Sequence, residues 1–122
     1  MVEADSSLDD SSVWVVEAAR GASSRTDAAT VVLDVGEVLS ITGWFVITGG
    51  TSTRQVRAIT EEIEERISAN GGPKPLRLEG LDPGEWVLMD YGDFIVHVFL
   101  EETRAFYDLE RLWRDVPTVE WS

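Results

Sequence analysis

Glu85-Trp-Val-Leu-Met-Asp-Tyr-Gly-Asp-Phe-Ile-Val-His-Val-Phe-Leu100 decides how this chain is read. Two apolar runs flank Gly92-Asp93, and glycine at the first position of a two-residue loop is what a type II′ hairpin turn requires. That turn predicts a register in which Tyr91 opposes Phe94, Asp90 opposes Ile95, Met89 opposes Val96, Leu88 opposes His97 and Trp86 opposes Phe99. Side chains alternate between the faces of a strand. One face of the hairpin then carries Val87, Met89, Tyr91, Phe94, Val96, Val98 and Leu100, a set suited to a core. The other carries Trp86, Leu88, Asp90, Ile95, His97 and Phe99: large apolar groups, one carboxylate and the only histidine of the chain. A face built this way touches something, whether a covering helix, a ligand or a partner.

Outward from the hairpin, the strongest signal is a helix that Ser52 and Gln55 open as a capping box. Val56, Ile59, Ile63 and Ile67 follow it on one stripe, and Asn70-Gly71-Gly72-Pro73 ends it. Thr30–Val35 and Gly43–Thr48 read as short strands, with a break expected at Gly49-Gly50-Thr51. Ser11 or Ser12 can cap an earlier helix running through Val13, Val16 and Ala19 to about Ser24. A strand near Leu76–Leu78 precedes the loop Glu79–Glu85. A last helix, from about Thr103 to Trp113, is expected to bury Phe106, Leu109 and Trp113. The order α-β-β-α-β-β-β-α predicts an α/β fold, a mixed sheet packed with helices. Residues 1–10 read as a flexible acidic tail, 11–117 as a single domain and 118–122 as a C-terminal tail.

The length of 122 residues suits one domain with a sizeable core. Ten basic against 23 acidic residues leave a net charge of −13. Such a chain repels phosphate and has no basic stripe, so free nucleic acid is an unsuitable partner and a basic protein or a cation a better one. Salt adaptation or a solubility bias would give the same charge. Cysteine is absent, which excludes disulfides and thiolate metal sites. The acidic first residues do not resemble a secretory or organelle leader, and no apolar run approaches the ~20 residues of a membrane span. A cytoplasmic chain is expected.

Three constellations have residue types that could carry chemistry. Gly49-Gly50-Thr51-Ser52 opens a helix whose free N–H groups suit phosphate, but it lacks the lysine and spacing of a phosphate loop; an ordinary capped start explains it better. Asp34, Asp90 and Asp93 are candidates to hold Mg²⁺ for phosphoryl transfer. Asp90 and Asp93, however, are three residues apart across a turn, and Asp93 is more simply a turn residue. His97 beside Asp90 and Trp86 has no second ligand and no nucleophile near it, which favours a structural histidine. The stripe at 56, 59, 63 and 67 is core. Glu61, Glu62, Glu64 and Glu65 make the other face of that helix acidic, usually a sign of solvation alone.

Several motifs occur together in one order: Val32-Leu-Asp-Val35, Trp44-Phe-Val-Ile47, Ser52-x-Arg-Gln-Val56, Glu79-Gly80, Trp86-Val-Leu-x-Asp90, Gly92-Asp-x-Ile-Val-His97 and Arg104-x-Phe-Tyr-x-Leu-Glu-x-Leu-Trp113. In this order they resemble the ribosomal silencing factor (RsfS, Iojap) family over about residues 11–117. Trp44 departs from the tyrosine or cysteine common there. The resemblance implies binding to the large ribosomal subunit through ribosomal protein L-fourteen, a block on joining of the small subunit, and repression of translation when nutrients are scarce. It also implies a nucleotidyltransferase-like core without catalytic carboxylates, and homodimer formation.

On that reading the chain is not an enzyme and needs no cofactor or metal. The expected partner-contacting residues are Trp86, Leu88, Asp90, Tyr91, Asp93 and His97. Trp86 and Leu88 would supply the desolvated anchor, while Asp90 and Asp93 meet arginine or lysine. The acidic body would be steered toward a basic ribosomal protein. Trp86→Ala is expected to melt like wild type while losing the partner. The alternatives are a small metal-dependent nucleotidyltransferase or phosphohydrolase using Asp34, Asp90 and Asp93, and an oligomerisation module whose hairpin face pairs with itself.

Overall fold

The hairpin forms in the expected register. In the computed structural model, which describes the backbone of residues 3–122 and the side chains of 11–122, β4 (Trp86–Asp90) pairs antiparallel with β5 (Phe94–Leu100). Trp86 faces Phe99 and Leu88 faces His97. Gly92 takes φ +87° while Asp93 keeps a negative φ, the combination a type II′ turn needs, and the Tyr91 N–H donates to the Phe94 carbonyl across the loop at 3.0 Å.

Around it stand α1 (Glu3–Ser23), β1 (Val31–Asp34), β2 (Trp44–Gly50), α2 (Thr53–Ala69) and β3 (Arg77–Glu79), and the chain closes with α3 (Glu101–Tyr107) and α4 (Leu109–Leu112). The five strands form one mixed sheet in the order β1-β2-β5-β4-β3, with β2 and β5 parallel and the other neighbours antiparallel. Helices α1 and α2 cover one face. Against them lies a core containing Val32, Val46, Val87, Met89, Val96 and Val98, each fully buried. A second apolar cluster of Leu33, Val35, Phe45, Ile47 and Phe99 occupies the opposite face.

Helix α2 matches its sequence signals. Val56, Ile59, Ile63 and Ile67 are all fully buried, and each such aliphatic stabilises the fold by roughly 1.5–3 kcal/mol. The Ser52 side chain accepts the Gln55 N–H at 3.1 Å, but Gln55 Oε1 accepts from the Thr51 N–H at 2.7 Å, one residue further back than a standard capping box. At the other end, Gly71 N–H bonds the Ser68 carbonyl and Gly72 N–H the Ile67 carbonyl, the paired bonds of a Schellman motif.

Four expectations are corrected. Gly49 and Gly50 do not break the chain, because β2 runs through them and pairs with Phe99 and Leu100. A side chain at Gly49 would meet the Phe99 carbonyl at 2.9 Å, so it is the tight approach of β5 that requires glycine here. Ser11 is no cap: α1 begins at Glu3, and no glycine or proline stands before Ser11 to stop it. Of the tail expected over residues 1–10, residues 1 and 2 and all ten side chains lie outside the described residues. The buried stripe of α1 is Val15, Ala18, Ala19 and Ala22, while Val13 is 51% exposed; the small alanines let α1 lie close against α2.

The third and fourth corrections concern the C-terminus. Asp108 adopts a left-handed conformation with φ +50°, which divides the expected single helix into α3 and α4. The phase resets there, so Phe106 no longer shares a face with Leu109 and Trp113 and stands 80% exposed. Residues 117–119 are not a loose end. Asp34 N–H bonds the Pro117 carbonyl, Val119 N–H bonds the Val32 carbonyl, and Thr118 bridges Leu33, so this segment covers the outer edge of β1. Trp121 Nε1–H adds a bond to the Thr30 carbonyl at 3.0 Å.

A half-covered sheet face as candidate docking site

The register places every candidate residue on a definite face. Leu33, Phe45, Ile95 and Asp90 form one row across the sheet, and Val31, Ile47, His97 and Leu88 form the next. Phe99 and Trp86 continue the same face. This is the side away from α1 and α2. Its β1–β2 half is roofed by Leu109, Trp113 and Val116, with Trp113 set edge-on to Phe45 at a centroid distance of 5.2 Å. Over β4 that roof ends, except where Tyr107 of α3 lies against Trp86. Trp86, Leu88, Asp90 and Ile95 remain half-buried there, and Glu79, Gly80, Trp86 and Leu88 line a cleft of about 360 Å³.

Trp86 has contacts that the sequence did not announce. Its ring lies 4.8 Å from Phe99 and 4.8 Å from Tyr107 of α3, and its Nε1–H donates to His97 Nδ1 at 3.2 Å. Truncating Trp86 therefore removes internal packing as well as any external contact, which revises the expectation of an unchanged melt. Tyr107 reaches the tryptophan because α3 ends at Asp108, and nothing in the local sequence pattern marks that stop. His97 is 5% exposed and cannot itself meet a partner. Burial pushes its pKa down to about 4, so the ring is neutral.

The carboxylates are engaged locally. Asp90 Oδ1 accepts the Gly92 N–H at 2.8 Å, which stabilises the turn, while Oδ2 lies 3.8 Å from the exposed Arg77 Nε. Asp93 accepts from the Ser11 hydroxyl at 2.7 Å and through its carbonyl from Gly43 N–H at 2.8 Å, tying the hairpin tip to α1 and to the entry of β2. Its side chain is thus turned toward α1 rather than toward the Trp86 face. Tyr91 lies on the opposite face altogether, 7% exposed and stacked on Phe94 at 4.7 Å. Burial, reinforced by Glu64, raises its pKa. Tyr91 therefore cannot contact a partner through this face. Trp86, Leu88 and Asp90 are brought together with Ile95, Glu79 and Gly80.

The metal alternative loses its geometry. Asp34 shares a sheet row with Trp44, Phe94 and Tyr91, whereas Asp90 shares one with Ile95, so the two carboxylates project from opposite faces. Asp34 Oδ1 moreover accepts the Gly36 N–H at 3.1 Å, another turn at a strand end. Among the described residues no helix is long and apolar enough to cross a membrane.

Comparison with known proteins gives consistent similarities. The family model described as "Ribosomal silencing factor during starvation" matches residues 9–122. A ribosomal silencing factor RsfS of Halalkalibacterium halodurans is 43% identical over 90 residues, covering 74% of this chain and 76% of the relative. A mouse protein named for mitochondrial assembly of the ribosomal large subunit is 34% identical over 85 residues, 67% of this chain and 37% of its own length. A crystal structure from Bacillus halodurans superposes with a TM-score of 0.71 at 37% identity, covering 85% of this chain and 93% of that one.

Proposed function

The chain belongs to the ribosomal silencing factor family, and from that premise we propose that it binds the large ribosomal subunit through ribosomal protein L-fourteen and blocks joining of the small subunit. Translation is thereby repressed under nutrient limitation. The observation that carries the reading is the unroofed β4 side of the sheet. Trp86, Leu88 and Ile95 offer apolar area there in one patch, with Glu79 and Asp90 beside it. Tryptophan surrounded by polar groups is the usual composition of an interface hot spot. A basic ribosomal protein complements the carboxylates, and the net charge of −13 accelerates the approach while keeping the chain off bare RNA.

The action is steric and needs no turnover, cofactor or metal. A body of this size seated at a subunit contact prevents the other subunit from reaching it. The mouse relative is named for assembly of the mitochondrial ribosomal large subunit, which supports a large-subunit partner. The chain would work in the cytoplasm, where ribosomes join, and a homodimer would have to part or leave the β4 side free in order to dock.

Sedimentation of the purified protein with separated subunits tests the proposal. Co-sedimentation with the large subunit alone is expected, with a dose-dependent fall in joined ribosomes. Equal binding to both subunits, or unchanged joining at saturation, would reject it.

A further inference from the structure

His97 is the anomaly of the docking face. It occupies the centre of β5, paired with Ile47 on one side and Leu88 on the other, and is 5% exposed. Its Nε2 is buried without a partner among the described residues. A leucine would fill the same place without burying an unpartnered nitrogen of its own, so the imidazole costs the fold a desolvated polar atom that packing alone does not repay. What histidine supplies and leucine lacks is an acceptor. Nδ1 receives the Trp86 indole N–H at 3.2 Å, which puts the ring proton of the neutral imidazole on Nε2. Phe45, edge-on at 4.8 Å, and Phe99, nearly parallel at 6.1 Å, hold the imidazole plane, so the acceptor's direction is set.

Trp86 needs such a guide. The second side-chain torsion of tryptophan is broad and roughly two-fold, so packing must choose which edge of the indole faces outward. The aromatic neighbours choose weakly. Phe99 and Tyr107 lie at tilts of 33° and 48°, and Tyr107 is itself 51% exposed. A directional hydrogen bond selects one orientation, with the nitrogen edge turned to His97 while Trp86 walls the cleft with Glu79, Gly80 and Leu88.

We propose that His97 is a positioning residue for partner docking: it does not touch the partner but presents Trp86 to it in a single orientation. The assignment rests on the reading of the β4 side as the docking face. It predicts an unusual separation of stability from affinity. Removing the imidazole relieves the orphaned Nε2 but leaves the Trp86 indole N–H without its acceptor, so the two changes offset and the melting temperature should stay close to that of wild type. Docking should nevertheless weaken by roughly fivefold to tenfold, the value of one directional hydrogen bond.

The experiment compares wild type, His97→Leu, His97→Asn and Trp86→Ala. Three quantities are measured: thermal unfolding, dissociation rate from purified large subunits, and the Trp86 indole N–H resonance, assigned by its disappearance in Trp86→Phe. His97→Leu should melt close to wild type, dissociate roughly fivefold to tenfold faster, and move the indole resonance. His97→Asn, whose Oδ1 stands near the place of Nδ1, should restore the slow dissociation relative to His97→Leu. If wild type binds, Trp86→Ala loses binding and His97→Leu dissociates like wild type, the positioning role is overturned and the docking reading survives. If wild type fails to bind at all, the docking reading falls first. A loss of affinity that merely follows a loss of melting temperature would make His97 an ordinary core residue.

Discussion

Gly80→Ala is the perturbation that best tests the geometry of the docking face. Gly80 closes the cleft opposite Trp86 and holds φ +85°. A Cβ placed there would collide with the Trp86 carbonyl oxygen and stand 3.1 Å from its carbonyl carbon. Both are backbone atoms, so no rotamer change can relieve the clash, and β4 would have to yield by about an ångström at the residue that carries the tryptophan. Two costs add: about 1 kcal/mol for an L-residue in left-handed backbone, and about 1–3 kcal/mol for overpacking against a paired strand. Gly71→Ala isolates the first cost, since Gly71 has φ +86° and a Cβ there would meet nothing within 4 Å. At about 4 °C per kcal/mol for a chain of this size, Gly71→Ala should lower the melting temperature by about 4 °C and Gly80→Ala by about 8–16 °C. Differential scanning calorimetry reads both. At 25 °C, where each variant remains folded, only Gly80→Ala should weaken binding to large subunits. Equal melting temperatures for the two variants, with equal binding, would refute the placement of Gly80 against Trp86.

Trp86→Ala should cost about 2–3 kcal/mol of stability, because Phe99, Tyr107 and His97 lose a neighbour around a half-buried ring, together with about 2–4 kcal/mol of docking energy; calorimetry and subunit binding on the one variant measure both. Deleting residues 117–122 removes two backbone bonds to β1 and the Trp121 bond to Thr30, so a loss of about 3 kcal/mol and concentration-dependent self-association through the bared edge are expected by denaturant titration and sedimentation velocity. For pH, the folded pKa of His97 near 4 lies below its ordinary 6.5, so the unfolded chain takes up the proton first. Its contribution is therefore fully present above pH 6.5 and disappears as pH falls toward 4, by about 3 kcal/mol in all. The stability difference between wild type and His97→Leu, followed by urea unfolding across that window, should move against wild type as the solution is acidified; a difference independent of pH would contradict the buried neutral ring.

Alternation and turn chemistry made much of this protein legible in one dimension. Gly92-Asp93 with its flanking apolar runs determined the β4–β5 register, because a two-residue turn leaves the pairing no freedom, and the strict alternation of Val87, Met89, Val96 and Val98 determined which face is core. The isoleucine stripe of α2 and its glycine stop were equally plain, since both are local and periodic. Family membership was legible for a related reason: the motifs that carry it are contiguous segments.

Tertiary structure decided the rest, wherever a residue's role depends on chain far from it. Gly49 reads as a breaker until β5 lies alongside and leaves no room for a side chain. Asp108 reads as helix interior, yet its left-handed turn exposes Phe106 and lays Tyr107 on Trp86. Tyr91 and Asp93 sit one residue and three residues from Asp90, but the core takes the first and Ser11 the second. Hairpin periodicity could divide the residues into two faces. Which part of the second face stays open was settled by where α4 and the segment after it come to rest, covering the β1–β2 half and stopping short of β4.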